Sequence, residues 1–444
     1  MSLLADQSTT KVRARFSAVV LRLTGVSIVT NLAAFVTGPL QARSLGPSGR
    51  GAVAAVLATS GLLGTAGALG IGSFVNREVA KGRDAGVVLG SLFPIMAGIG
   101  VLIAVVGLPV TAVVSNGRSD VRVLLLVGLA LMPVLLPASL LPSAAVGRSD
   151  WRPLYISRMI PALGGLAAVL TLFASGRLTV VSVVVATFVL SIASSLPFLN
   201  MLRGIRLTFE RAVVIRGLRF GTAAGAGTVL IFANQRIDQV IMAAVGTAKD
   251  LGLYAVAVSV TSVSAGLIAS AVGASLQPLI AAGEVSLVGR ATRLTLWSVA
   301  SVGLLLALVL PVLLPLLFGA DFKEAVFPAQ LLLLASIPLA GLTVLGPTLV
   351  AAGRPLTTAI AEGLALACGL PVLVLSVGRY GATGAASASL LSYSVSFAYL
   401  LHRSRSAFGH SLRSLLLPER GDLEWLRTRF GRPATCAPEE TNPT

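Results

Sequence analysis

Long apolar runs, each about the length of a membrane crossing and separated by short polar joints, dominate the chain from end to end. A crossing needs roughly 20 mainly apolar residues in helical form, because backbone groups in hydrocarbon must be satisfied within the segment. Read this way, the pattern predicts twelve spans: 17–38, 52–75, 87–114, 122–145, 154–175, 178–202, 218–245, 253–278, 294–318, 328–351, 356–378 and 382–402. The expected architecture is an all-α integral membrane protein of two parallel six-helix bundles around a central cavity. Its parts are a charged N-terminal segment (1–16), a first bundle (17–202), a basic linker (203–217), a second bundle (218–402) and a basic, partly disordered tail (403–444). Within the tail, LEWLRTRF at 423–430 reads as a surface helix.

An even number of spans puts both termini on one side. Of the 34 lysines and arginines, 24 are assigned to the side of the termini and 8 to the other, counting those at span ends with the side they flank, and Arg22 and Arg236 to the spans themselves. By the positive-inside rule both termini are cytoplasmic, as expected for a multi-pass protein of the cytoplasmic (inner) membrane. Lys11, Arg13 and Arg15 look like the flank of a signal anchor, with no cleavage pattern after them. Three echoes link the halves: Gly46 with Gly246, Thr59-Ser60 with Thr261-Ser262, and AVGR at 145–148 with AAGR at 351–354. Six spans per half make such a repeat parallel, about an axis along the membrane normal.

Composition agrees with this picture and narrows it. The chain of 444 residues is 55% hydrophobic and 11% charged, with mean hydropathy +0.91, which excludes a water-soluble globular protein. The net charge of +17 is spread over short loops, so topology explains it better than nucleic-acid binding. Cys368 and Cys436 suggest neither disulfide nor metal site, and His402 and His410 lie at or beyond the last span. No cofactor motif and no enzyme constellation is evident.

One stretch breaks the apolar pattern where breaking it is costly. IFANQRIDQVIMAAV places Asn234, Gln235, Arg236, Asp238 and Gln239 in the seventh span, and a charge at a bilayer centre costs about 2.5 to 3.5 kcal/mol on insertion scales. At about 100° per residue they cover an arc of roughly 200°. The arc reads either as a polar wall of a translocation cavity or as a cluster bonding neighbouring helices. In the first reading Arg236 is available for an anionic group, and Asp238 orients it or binds a cation. Glu362, in the eleventh span, is the other acid placed inside the membrane, and with Asp238 it is the candidate for proton or sodium coupling.

LQARSLGPSGRGAVA at 40–54 and RIDQVIMAAVGTAKDLGLYAVAV at 236–258 resemble the polysaccharide exporters and Wzx-type flippases of the multidrug/oligosaccharidyl-lipid/polysaccharide superfamily. The first is similar to that family's AR-x-LGP-x-G-x-G junction between spans one and two, the second to its R-x-D … LG-x-Y opening of the second half. The resemblance implies a V-shaped cavity and alternating access moving a polyprenyl-pyrophosphate-linked glycan to the outer leaflet. It also implies membrane lipids and glycan polymerases or glycosyltransferases as partners.

Arginine's forked donors suit phosphate oxygens. One or both of Arg22 and Arg236, in equivalent helices of the two halves, are therefore expected at the head group, with Asn31, Gln41, Asn234 and Gln235 offering neutral hydrogen bonds; for Arg22 the other reading is snorkelling to the cytoplasm. Arg43 and Arg50 are expected at the exit side or snorkelling to water. Lipid II flippases of the MurJ type usually have two further spans. A cation-coupled drug antiporter of the MATE type, and a membrane-embedded glycan-assembly protein without transport, stand as the alternatives.

Overall fold

The structure is a computed structural model that describes residues 2–204, 209–261, 286–409 and 411–417. Among them there is no strand. Helix α1 spans Ser2–Ala68, α2 Ile71–Ala80, α3 Ala85–Ser115, α4 Ser119–Ala130, α5 Met132–Ala138, α6 Leu140–Gly147, α7 Trp151–Ala174, α8 Val180–Ala193 and α9 Leu199–Arg203. The second half holds α10 (Arg211–Val245), α11 (248–261), α12 (Ser286–Phe318), α13 (Val326–Ala351), α14 (Pro355–Phe408) and α15 (Leu412–Leu416).

Among the described residues seven helices are long and apolar enough to cross a membrane, or eight spans if the pair Ser119–Ala130 and Met132–Gly147, bent by 47°, is taken as one. The chain is thus a multi-pass, all-α membrane protein. Two of the seven helices, α1 and α14, each cover two of the expected spans and are broken in the middle. Gly46 (φ 64, ψ 178) divides α1, and Gly381 (φ 51, ψ −127) divides α14. Positive φ favours glycine, and Pro47, with its fixed φ and missing N–H, is suited to start the new helix. The eighth expected span, 253–278, runs beyond the described residues after Thr261.

Three boundaries differ from the expectation. Residues from Ser2 onward are already helical, so the segment expected as a flank continues into α1. The expected linker at 203–217 is shorter, because α10 begins at Arg211. There Glu210 takes an extended conformation at the N-cap position, its N–H donating to Ser91 Oγ at 3.2 Å. The tail starts later as well, since α14 reaches Phe408 and α15 folds back onto α12. That return is held by Arg293 donating to the carbonyl of Ser414, by Trp297 Nε1 donating to Leu416 O at 2.9 Å, and by burial of Leu415. The expected surface helix at 423–430 lies outside the described residues.

Packing distinguishes the two ends of the molecule. At the Gly46 end one hydrophobic core joins both halves, with Val56, Leu125 and Phe188 from the first and Tyr254, Leu310 and Phe322 from the second. At the opposite end it separates into two. One core gathers Phe74, Leu92 and Phe198 around the start of α10, and the other gathers Leu345, Leu400 and Leu415.

Small residues set the closest approach at the joined end. A β-carbon on Gly51 would collide with the carbonyl of Ala248, and one on Gly252 with the carbonyl of Pro47. The helix starting at Pro47 and α11 therefore touch backbone to backbone, as small residues permit in membrane helices. Arg43 adds a bond across the same end by donating from Nε to Leu317 O at 2.9 Å and also to Leu316 O. A cation there meets the carbonyl-rich, partially negative end of α12.

Candidate functional site

Two groups of polar side chains lie in the apolar body, one in each half. The one in the second half is built on α10. Asn234 and Asp238 are one turn apart, so they share a face, and that face is packed against α14, whose Ser389, Tyr393 and Ser396 lie at the same helical repeat. Asn234 Nδ2 donates to Glu362 Oε2 at 2.7 Å, and Ser396 Oγ donates to Glu362 Oε1 at 3.4 Å. One turn along, Asp238 accepts from the Tyr254 hydroxyl and from Ser389 Oγ, the latter at 3.4 Å, while Tyr254 and Ser389 lie 2.9 Å apart. Asp238 Oδ1 also accepts from the backbone N–H of Gln239 at 2.7 Å.

Both carboxylates are buried, Asp238 with 5% and Glu362 with 6% of its surface exposed. Hydrogen bonding is what makes such placement tolerable, because an unsatisfied buried polar group costs about 1–3 kcal/mol and a charged one more. Their partners are hydroxyls, an amide and backbone, and among the described residues neither forms an ion pair. Such a carboxylate can take a proton or a small cation without first breaking a salt bridge.

The polar arc of the seventh span is therefore divided between the two readings the sequence left open. Asn234, Asp238 and Gln239 are buried against neighbouring helices, whereas Gln235 and Arg236 are exposed. Those two line a cavity of about 140 Å³ together with Asp238, Tyr254, Ser336 and Tyr393. Asp238 is thus the point where the buried network reaches the cavity.

In the first half the group is built around Arg50. The break at Gly46 folds α1 so that Arg50 approaches Gln41, and its Nη1 donates to Gln41 Oε1 at 2.5 Å. Its Nη2 reaches Ser259 Oγ on α11 at 3.5 Å. Its Nε is buried and has no hydrogen-bond partner among the described residues. A guanidinium between two halves, with neutral partners and a free N–H, is suited to receive an anion.

The remaining expected residues do not join these groups. Arg43 is committed to the end of α12, as described above. Arg22 is exposed and Asn31 half-buried, both on α1, and among the described residues neither is hydrogen-bonded to Arg50 or Arg236. Asn234 serves Glu362 and is not part of the cavity wall. Sequence reasoning missed Tyr254, Ser259, Ser389, Tyr393 and Ser396. Tyr254 is the tyrosine of the LG-x-Y motif, and the i, i+4, i+7 spacing of the last three was a readable helical stripe. Among the described residues no three of His, Cys, Asp and Glu come together as a metal site would require.

A helical membrane body whose cores part at one end, with polar groups placed inside each half, has the arrangement of a membrane transporter. The profile described as "Polysaccharide biosynthesis protein" matches residues 18–284; the chain belongs to this family, the polysaccharide exporters of the multidrug/oligosaccharidyl-lipid/polysaccharide superfamily. No curated protein matches the sequence. Among solved structures the chain is similar to the lipid II flippase MurJ in an inward closed conformation, with TM-score 0.73, 12% identity and 92% of each chain covered. It is also similar to a multidrug resistance MATE family transporter in an inward-facing conformation, with TM-score 0.69, 15% identity, and coverage of 87% of this chain and 96% of that one. The Vibrio cholerae MATE transporter VcmN in its bent form gives TM-score 0.55 at 16% identity, covering 89% and 98%. At these identities the likeness concerns the fold alone.

Proposed function

We propose that the protein moves a polyprenyl-pyrophosphate-linked oligosaccharide from the cytoplasmic to the outer leaflet by alternating access, for assembly of a cell-surface polysaccharide. Arg50 is the observation that carries this reading. It lies between the halves, bonded to the neutral Gln41 and Ser259 with its Nε still unpartnered, and so supplies what an anionic head group would need once stripped of water. Family membership supplies the glycan, and the excess of basic residues on the side of the termini supports insertion in the inner membrane with both ends cytoplasmic.

In this mechanism Arg236 and Gln235, exposed on the cavity side of α10, meet the head or first sugars from the second half, and Arg22 receives the head near the cytoplasmic entrance. Asp238 and Glu362 couple transport to a proton or sodium ion. Uptake at Asp238 alters its bonds to Tyr254 and Ser389, and hence how α10 sits against α11 and α14. Membrane lipids surround the carrier, and glycosyltransferases and a polymerase supply and consume the cargo.

The test is to deplete the protein in cells, extract the polyprenyl-linked intermediates, and determine their membrane side with a leaflet-impermeant probe. The expected result is a complete lipid-linked oligosaccharide trapped on the cytoplasmic leaflet. Absence of that intermediate, together with loss of drug tolerance, would replace this reading with a drug antiporter.

A further inference from the structure

A second cavity lies away from Asp238 and Glu362, within the first half. It measures about 260 Å³ and is walled by α1, α7 and α8. Its apparent polarity is misleading. Thr30 donates its hydroxyl to Val26 O at 2.8 Å, Thr37 to Ala34 O at 3.3 Å and Thr187 to Val183 O at 2.8 Å. Each threonine thus bonds its own helix backbone, leaving the wall to methyl groups and aliphatic side chains. A cavity with such walls stays dry.

Two further features give the cavity a direction. Small residues leave it unfilled: a β-carbon at Gly165 would meet nothing closer than Leu190 Cδ1 at 4.0 Å, and Ala33 and Ala186 also line the space. At one end stands Gln41, the only lining side chain with an amide, and that amide oxygen accepts from Arg50. The exposed Ala34 and Pro161 are also lining residues, so the slot is open at its edge. The result is a dry slot that begins beside a guanidinium with a free N–H.

We propose that this slot holds the first isoprene units of the polyprenyl chain, next to the phosphate that Arg50 and Gln41 receive. The assignment rests on the exporter reading above. At about 260 Å³ the slot is smaller than the roughly 300 Å³ at which pockets for drug-sized ligands begin. It therefore takes the head-proximal part of a chain and leaves the rest in the bilayer. A carrier that guides the head through its interior while the tail stays in lipid needs such a place, where the tail leaves the head between two helices.

The full-length protein in nanodiscs of zwitterionic phospholipid would be irradiated with a polyprenyl phosphate carrying a diazirine on its first isoprene units. Adducts are expected on peptides covering 161–172 and 183–190. Gly165→Leu and Ala186→Leu should lower them about tenfold, a loss of about 1.4 kcal/mol in binding. Val181→Ala, at an exposed position of α8 that does not line the slot, should label like wild type, and Ala186→Val, a smaller filling, keeps the test decisive if the leucines impair folding. Unlabelled polyprenyl phosphate should compete, and phosphatidylglycerol should not.

Adducts confined to other helices, equal labelling of the filled variants, an equal loss in Val181→Ala, or equal competition by phosphatidylglycerol would each overturn the assignment. Failure of the slot is distinct from failure of the exporter reading. Depleted cells that trap the lipid-linked glycan, with no adduct in the slot, sink the slot alone. Slot adducts in a protein whose depletion traps no such lipid sink the exporter reading.

Discussion

The two halves solve the placement of charge in an apolar body in opposite ways. In the first half a cation, Arg50, is held by neutral groups and keeps a free donor beside an apolar slot. In the second half two anions, Asp238 and Glu362, are enclosed by hydroxyls and an amide. The first arrangement suits an anionic ligand that must be released again, since each bond that it makes replaces a weak neutral one. The second suits a small cation or proton, because a carboxylate surrounded by donors can exchange one of them. The two halves therefore need not share a ligand.

The largest expected effect comes from separating the halves where they touch. Gly252→Leu would push α11 away from the carbonyl of Pro47, and overpacking of this kind costs about 1–3 kcal/mol or more. Thermal unfolding in detergent should show a clear drop in stability, and Gly51→Leu should do the same from the other side. A variant with wild-type stability would show that the backbone contact is not what joins the two cores.

Next in size is the loss of the cation. Arg50→Ala removes charge-assisted bonds worth about 1.5–3 kcal/mol, which corresponds to roughly tenfold to a hundredfold weaker binding of polyprenyl phosphate. Arg50→Lys should restore only part of it, because a point charge does not reproduce the fork. Asp238→Asn should leave that binding within about twofold while abolishing the response of transport to an imposed proton or sodium gradient. If both variants lost anion binding equally, the division of labour between the halves would fail.

Much of the fold was readable because bilayer crossing imposes one rule on every segment. The breaks in α1 and α14 lie at Gly46 and Gly381, between expected spans, and the resemblance at 40–54 and 236–258 pointed to the family that the profile match shows. The site was less readable. Periodicity gave the arc from Asn234 to Gln239, but an arc alone does not say which part meets neighbours. That depended on α14, some 150 residues later, whose serines match Asn234 and Asp238 turn for turn. The partners of Arg43 were hidden for a related reason, since the carbonyls it caps belong to α12 in the other half. The start of α10 was hidden because Arg211 and Arg216 lower the hydropathy of a turn that is nevertheless helical.

The smallest predicted effect gives the sharpest distinction. Tyr254→Phe keeps the ring in the shared core and removes only the hydroxyl that Asp238 accepts from and that faces Ser389. If the network is only structural, the change costs about 1–3 kcal/mol of stability, the penalty for an under-satisfied buried acceptor, and transport per folded molecule is unchanged. If Asp238 exchanges a proton or cation, removing one of its hydrogen-bond donors alters that exchange. The dependence of transport on external pH or on sodium should then shift, with the maximum rate altered by no more than about twofold. Measuring transport in proteoliposomes against pH and sodium, normalised to folded protein, separates these cases. A shift would place coupling in the second half, whereas an unshifted profile with lowered stability would reduce Asp238, Tyr254 and Ser389 to the fastening of α10 against α11 and α14.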